Sequence, residues 1–360
     1  MYPHSLILIE LTFLPGLQKA LGRLDEFSMW RGKEYVFKPI SRMLRKGVTT
    51  GQAVCGYDAD SFDSSCSEQL IRAIFWLLKY WFQPEDAPLL DILCEALTQS
   101  GIMYDVGRVM SGRAGSMPSG SGFTNMVDCL IHSTSFRVTR EDVIKEYIKQ
   151  RNEKRKREGK APLSRQVIKD ICTSIRNGSE CVVMGDDGVW FLKKLTFDVL
   201  QNSQASMGFR CSSSKNTFRK DYVSFCQMHF VWDERDSDDI VRGVRSLNRG
   251  LNSMMSYERK SPMMRDPLYD SCRWLTQLEE CKYHPKFKSF VGFIMGKDKV
   301  HQLGAYREDG PIGLFREFGF DNFMDLRGRG FLYTSTIRKE SDIDSLEVVK
   351  VIREIVGLEK

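Results

Sequence analysis

The sequence predicts an α+β fold, an antiparallel sheet with packed helices followed by a mainly helical C-terminal part. Three observations carry that prediction. The apolar run AVCGY leads into Asp58 and reads as a buried strand. CVVM and VWFL flank GDDG and read as a hairpin with an acidic turn. Helical periodicity resumes at Phe123 and again from Ser237. The expected divisions are a helical lead-in at 1–50, a sheet-bearing region at 51–232 and a helical region at 233–360.

Taken in order, residues 1–50 read as helical and end in the basic KPISRMLRKG. After the strand, Glu68 to Phe82 is an apolar helix stopped before Pro84, and Pro88 to Gly101 is another. A Gly/Ser-rich loop runs from Gly107 to Gly122. Phe123, Val127, Leu130 and Ile131 then form an apolar helical stripe, with Thr124, Asp128 and His132 on another face. Residues 145–165 are rich in charge. A helix from Leu195 to Met207 stops at Gly208, and YVSFCQMHF reads as a strand. Ser237 caps a helix whose first turn holds Asp238 and Asp239. The stretch 296–330 reads as looped, and an amphipathic helix from Leu346 to Leu358 closes the chain.

At 360 residues the chain has room for two or three subdomains, and 42% apolar with 28% charged residues is ordinary for a folded protein. The net charge of +6 is compatible with a polyanion partner without demonstrating one. Ten cysteines without a C-x-x-C pair, and no signal peptide at the N-terminus, read as reduced thiols of an intracellular protein. Cys272, Cys281 and His284 are faintly metal-like, but buried structural cysteines are the plainer reading. The run Leu70 to Phe82 is too short for a bilayer, so no membrane partner is expected.

Asp58 ends a strand, and Asp186-Asp187 sit at a hairpin tip more than a hundred residues later. Carboxylates gathered there would repel one another unless cations neutralise them, which is how a Mg²⁺ pair is held for in-line phosphoryl transfer. A lone GDD is weak, because acidic turns are usually just solvated. The ordered set DADSFD, PSGSGFTNMVD and MGDDG is far more specific.

That set resembles motifs A, B and C of viral RNA-dependent RNA polymerases. Asp128, where many positive-strand viruses carry Asn, makes it most similar to the picobirnavirus and partitivirus group. The resemblance covers roughly residues 50–260. It implies a right-hand polymerase palm followed by a thumb, and template-directed RNA synthesis with two Mg²⁺ or Mn²⁺ ions. It also implies RNA template and product, NTPs and a viral capsid protein as partners, in host cytoplasm or virion interior. By the resemblance, Asp58 and Asp186 would hold the metals with Asp187 adjacent. Asp63, Ser119, Thr124 and Asp128 would form the ribose pocket, since telling RNA from DNA needs polar groups at the 2′-hydroxyl. Ser119-Gly120 would be the hinge of a template-contacting loop. Asp60 reads as structural.

Lys215 follows the helix after motif C, where the resemblance implies a motif D lysine that would protonate the leaving pyrophosphate; it could equally be a surface lysine, or Lys193, Lys194 or Lys220 could be meant. Phe225 to Phe230 is similar to the primer-gripping motif E, or is a core strand. Lys154 to Arg157 with Lys160 would contact RNA phosphates, or lie on a solvated helix. Arg242, Arg245 and Arg249 fall at helical spacing opposite Val244, Leu247 and Leu251, suited to a product backbone. Nothing before Asp58 matches the basic motif F, so the chain is expected to begin partway through a polymerase. The competing readings are a non-catalytic RNA-binding palm fragment and a reverse transcriptase. The latter is disfavoured by Asp63, which stands where those enzymes carry a bulky gate.

Overall fold

The computed structural model describes residues 4–99, 101–105, 108–110, 115–118, 121–233, 239–256, 266–319, 337 and 339–357. The chain divides into two compact units, Met1–Cys226 with Phe230–Val241, and Gln227–His229 with Arg242–Lys360.

The first unit opens with α1 (His4–Leu21), two short 3₁₀ turns (Asp25–Arg31 and Lys33–Val36) and α2 (Phe37–Thr50). Then come β1 (Val54–Tyr57), α3 (Phe62–Ser65), α4 (Glu68–Lys79) and α5 (Ala87–Gln99). All four β1 residues are buried, which explains the unbroken apolar run: the strand lies inside its sheet. Ser67 caps α4 by accepting from Leu70 N at 3.3 Å.

A hairpin of β2 (Ile102–Asp105) and β3 (Arg108–Met110) follows, pairing Ile102 with Met110 and Met103 with Val109. The loop expected from Gly107 is corrected here. Ile, Met, Tyr and Val dominate as far as Met110, and the Gly/Ser composition begins only at Ser111. Beyond it, Ser116 N donates to Cys66 O at 2.7 Å and Met117 N to Asp63 O at 2.8 Å, tying 116–117 to the α3 segment.

α6 (Phe123–Arg157) is a single long helix, so the charged run from residue 145 begins as its solvent-facing C-terminal half. Glu10 of α1, 1% exposed, serves the N-terminus of α6: its carboxylate accepts from Gly122 N at 2.8 Å and from the Ser121 hydroxyl. α7 (Arg165–Gly178), β4 (Glu180–Met184), β5 (Asp187–Phe191), α8 (Phe197–Ser206) and β6 (Thr217–Arg219) complete the main sheet. Its order is β4-β5-β1-β6, antiparallel between β4 and β5, β5 and β1, and β1 and β6. α6 packs on β4, and α2 on β1 and β5. The core gathers Tyr57, Phe62, Phe75, Phe123, Trp190 and Phe209, all at most 2% exposed.

YVSFCQMHF is two strands rather than one, β7 (Tyr222–Phe225) and β8 (Met228–Val231). Cys226 and Gln227 both take positive φ, 47° and 63°, the backbone of a two-residue hairpin turn. In the second unit β8 pairs with β9 (Val244–Arg245), Met228 opposite Arg245. α9 (Leu247–Met255), α10 (Pro267–Glu279), α11 (Phe287–Lys297) and α12 (Pro311–Phe318) follow, then a one-turn helix Ser341–Asp344 and a closing helix Glu347–Ile355.

Two expectations fail in this region. The helix from Ser237 is absent in the described part: Ser237 and Asp238 lie outside the described residues, Asp239 has φ 57°, and 239–243 is irregular. Strand pairing at Val244–Arg245 outweighs the helical spacing. The loop expected over 296–330 contains α12, begun by Pro311, which is pre-set for a first helical turn. Among the described residues no helix is long and apolar enough to cross a membrane.

Candidate active site

The register of the main sheet brings the acidic motifs together. Tyr57 pairs with Gly188, and Met184 with Asp187 across the β4–β5 turn. The residue after Tyr57 and the residue before Gly188 therefore share one end of neighbouring strands. Asp58 and Asp187 occupy those positions, with Asp186 exposed at the tip between β4 and β5.

Asp187 and Asp58 both feel the neighbouring charge. Burial pushes the Asp187 carboxyl up to about 6, and the charges of Asp186 and Asp58 push the same way. Burial also raises Asp58; Lys215 opposes this, while Asp186 and Asp60 reinforce it. Asp63 is raised by burial and by Asp186. Lys215 brings a cation to this end of the sheet, 3.1 Å from Asp60 Oδ1 and 3.8 Å from Asp58 Oδ1. Its ammonium is held above the ordinary lysine value by the Asp60 hydrogen bond first and by Asp58. Asp60 is thus an ion-pair partner of Lys215, and its backbone N donates to Arg210 O at 2.8 Å.

Asp63 follows Ser61, a residue in the left-handed region at φ 52°, and lies exposed on α3. Asp128 is 3% exposed on α6. Burial, with the charges of Asp63 and Asp186, lifts Asp128 to about 8. Thr124 is half-buried and its hydroxyl donates to Pro118 O at 2.5 Å. Ser119 and Gly120 lie outside the described residues. The α6 face carrying Asp128 and His132 is buried like the apolar stripe, because that part of the helix lies within the core.

The arginine stripe is corrected. Arg242 precedes β9, Arg245 lies in β9 and Arg249 in α9, so the three do not share one helix face. Arg242 lies over the Tyr283 ring at 5.9 Å, Arg245 donates to Ser253 Oγ at 3.2 Å, and Arg249 is exposed.

Several positioning groups escaped the sequence reading. The Asn216 amide clasps the Asp58 backbone, accepting from Asp58 N at 3.1 Å and donating to Asp58 O at 2.9 Å. Cys129 Sγ accepts from Gly185 N at 3.0 Å, and His132 Nδ1 lies 3.0 Å from Gly185 O. Burial drops the His132 imidazole to about 4, so it is neutral. The one available signal was spacing: Asn125, Cys129 and His132 fall at i, i+4 and i+7.

Whether the residues suit divalent cations turns on donor chemistry. Asp58, Asp186 and Asp187 are hard oxygen donors with excess negative charge, which favours Mg²⁺ or Mn²⁺. Among the described residues no three His, Cys, Asp or Glu side chains form a ready-made cage. Mg²⁺ usually takes one or two carboxylates and completes its shell with water and substrate phosphates.

Comparison with known proteins shows the family and the fold. The family model described as viral RNA-dependent RNA polymerase matches residues 31–293. A human picobirnavirus protein (strain Human/Thailand/Hy005102/-) named "Potential RNA-dependent RNA polymerase" is 24% identical over 315 residues, 83% of this chain and 50% of its own length. The crystal structure of a human picobirnavirus RNA-dependent RNA polymerase superposes with TM-score 0.73 at 20% identity, covering 99% of this chain and 61% of that one. Its insertion-loop deletion mutant gives 0.72 at 21%, covering 99% and 60%. The chain thus spans about half the length of the curated relative it matches. With the model covering well over half of its residues, and with the acidic motifs on neighbouring strand ends, the chain belongs to the viral RNA-dependent RNA polymerase family.

Proposed function

We propose that this chain carries the catalytic centre for template-directed RNA synthesis, transferring a nucleotidyl group from an NTP to an RNA 3′-hydroxyl. The observation that carries the reading is the register placing Asp58 beside Asp187, with Asp186 at the adjoining turn. On this reading 51–232 is the palm, 233–360 the thumb and 1–50 a helical lead-in belonging to fingers and palm. Genome replication or transcription is then its task, in host cytoplasm or virion interior, with capsid protein a further partner.

The chemistry that two bound Mg²⁺ or Mn²⁺ ions supply is activation of the 3′-hydroxyl and stabilisation of the leaving pyrophosphate. Asp58 and Asp186 would hold them, with Asp187 adjoining. Asn216 fixes the Asp58 backbone, so that carboxylate need not reorganise. Asp63, Thr124 and Asp128 would read the ribose, with Ser119 completing the pocket and Gly120 its hinge. Lys215, held beside Asp60 and Asp58, would deliver a proton to the leaving pyrophosphate.

The test is template-dependent NTP incorporation in Mg²⁺ and in Mn²⁺, with the chain as given and with a version extended to the relatives' length. Incorporation that requires metal and stops on chelation is expected of the extended version. No incorporation by either version, or incorporation that survives chelation, would overturn the reading.

A further inference from the structure

We infer that His132 is a positioning residue for the Asp186 turn, held by Trp190 in the tautomer whose Nδ1–H anchors the Gly185 carbonyl. The inference rests on the reading of that turn as the metal-holding one. Trp190 Nε1 lies 3.1 Å from His132 Nε2. An indole N–H only donates, so Nε2 must present its lone pair. A neutral imidazole has a single ring proton, which is then on Nδ1, and Gly185 O at 3.0 Å accepts it.

Gly185 needs such an anchor. It sits at φ +60°, where glycine has wide freedom and the adjoining peptides can rotate. Helix α6 grips both of its polar groups, the N–H through Cys129 and the carbonyl through His132. A third α6 side chain crowds the same residue, Asn125 Nδ2 lying 3.2 Å from where a Gly185 Cβ would stand. The next residue is Asp186, so the direction of its carboxylate follows from the plane that α6 holds.

The same imidazole reaches the other acidic strand end. Tyr57, which precedes Asp58, packs its ring 4.7 Å from His132 and stacks on Trp190 at 4.4 Å with planes 9° apart. Phe136 closes the cluster edge-on to Trp190 at 5.4 Å. The imidazole has room because position 188 is glycine: a Cβ there would lie 2.4 Å from His132 Cε1 and Nε2. Packing alone would be met by any ring of this size, whereas the two hydrogen bonds require this tautomer.

The test uses the full 360-residue chain labelled with ¹⁵N-histidine, whose five histidines make assignment by His132→Asn direct. Wild type should show Nδ1 protonated and Nε2 bare, and Trp190→Phe, which keeps a ring and loses the donor, should mix the tautomers. Amide exchange over 183–188 should rise about tenfold in His132→Leu, which loses the bond to the Gly185 carbonyl, and by a smaller factor in Trp190→Phe, where only part of the population keeps the proton on Nδ1. His132→Asn, whose amide can donate in place of Nδ1, should restore protection. Mn²⁺ affinity, read from free-ion EPR, should fall by about 10- to 100-fold in His132→Leu and recover in His132→Asn. A wild-type proton on Nε2, or equal exchange in all variants, would overturn the inference. Correct tautomer and protection without Mn²⁺ binding by wild type would support the anchor while removing the metal reading.

Discussion

Asp128 Oδ1 lies 3.8 Å from Cys66 Sγ, inside the core, and among the described residues no lysine or arginine pairs with that carboxyl. A buried carboxylate without a cation is strongly disfavoured, so the group keeps its proton. Its neighbours Asp63 and Asp186 press the same way, and the carboxyl is lifted to about 8. A protonated Asp128 is a hydrogen-bond donor, as the Asn of related motifs would be.

Ribose choice should therefore depend on pH. Below about 8 Asp128 can donate, and the ratio of kcat/KM for NTP over dNTP should be high; above that it should fall. Asp128→Asn should hold the ratio flat across pH, while Asp128→Ala and Asp63→Ala lower it throughout. An NTP preference in Asp128→Ala equal to wild type would show that this residue does not read the 2′-hydroxyl.

The same group has a stability signature. Unfolded, an aspartate loses its proton near 3.9, whereas folded Asp128 keeps it to about 8. Between those values the folded state binds more protons, so Asp128 lowers stability progressively as pH rises through the window. Relative to wild type, Asp128→Asn should gain stability from pH 4 to pH 8 and level off above it. The integrated gain should be of the order of a few kcal/mol, at about 1.4 kcal/mol per unit. Urea titrations of both proteins at several pH values provide the check.

Asp58→Ala and Asp186→Ala should each abolish nucleotide addition in a version extended to the relatives' length and leave the fold intact. Both remove a charge that raises Asp187, so neither should lower Tm in metal-free buffer. Mg²⁺ at 100 times its Kd should stabilise wild type by about 2.7 kcal/mol. Neither variant should show that gain. Near-normal primer extension by either would remove the assigned role.

Lys215 pairs with Asp60 and Asp58, so charge and proton delivery must be separated. Lys215→Arg keeps the charge, but a guanidinium does not deprotonate near neutrality. If Lys215 acts as general acid, Arg and Ala should both lower kcat, by about 10²- to 10⁴-fold, with little change in KM. Full activity in Lys215→Arg would reduce the residue to a counter-ion.

Gly188→Ala should destabilise the fold by about 1–3 kcal/mol, because its Cβ would strike the His132 ring. In a His132→Ala background the same change should have a much smaller effect. Equal effects in both backgrounds, measured by denaturant unfolding, would mean the ring moves aside freely.

What the sequence by itself determined was local and ordered. Apolar runs ending in acids specify strand ends, GDDG specifies a tight turn, and the period after Phe123 specifies a helix carrying Thr124 and Asp128. Each needs only neighbours within a few residues, and so each could be read directly. Tertiary structure alone decided which groups hold the acids. Asn216 meets Asp58 across 158 positions, Trp190 meets His132 across 58, and Glu10 meets Gly122 across 112. No short-range pattern encodes such pairings, which exist only once the core has closed. The arginine stripe failed for the same reason: spacing implied one helix, but the backbone at Asp239 and the pairing of β9 with β8 took the chain elsewhere. Strand hydrogen bonds to a distant partner satisfy backbone groups that helical periodicity, a weaker local preference, would otherwise have claimed.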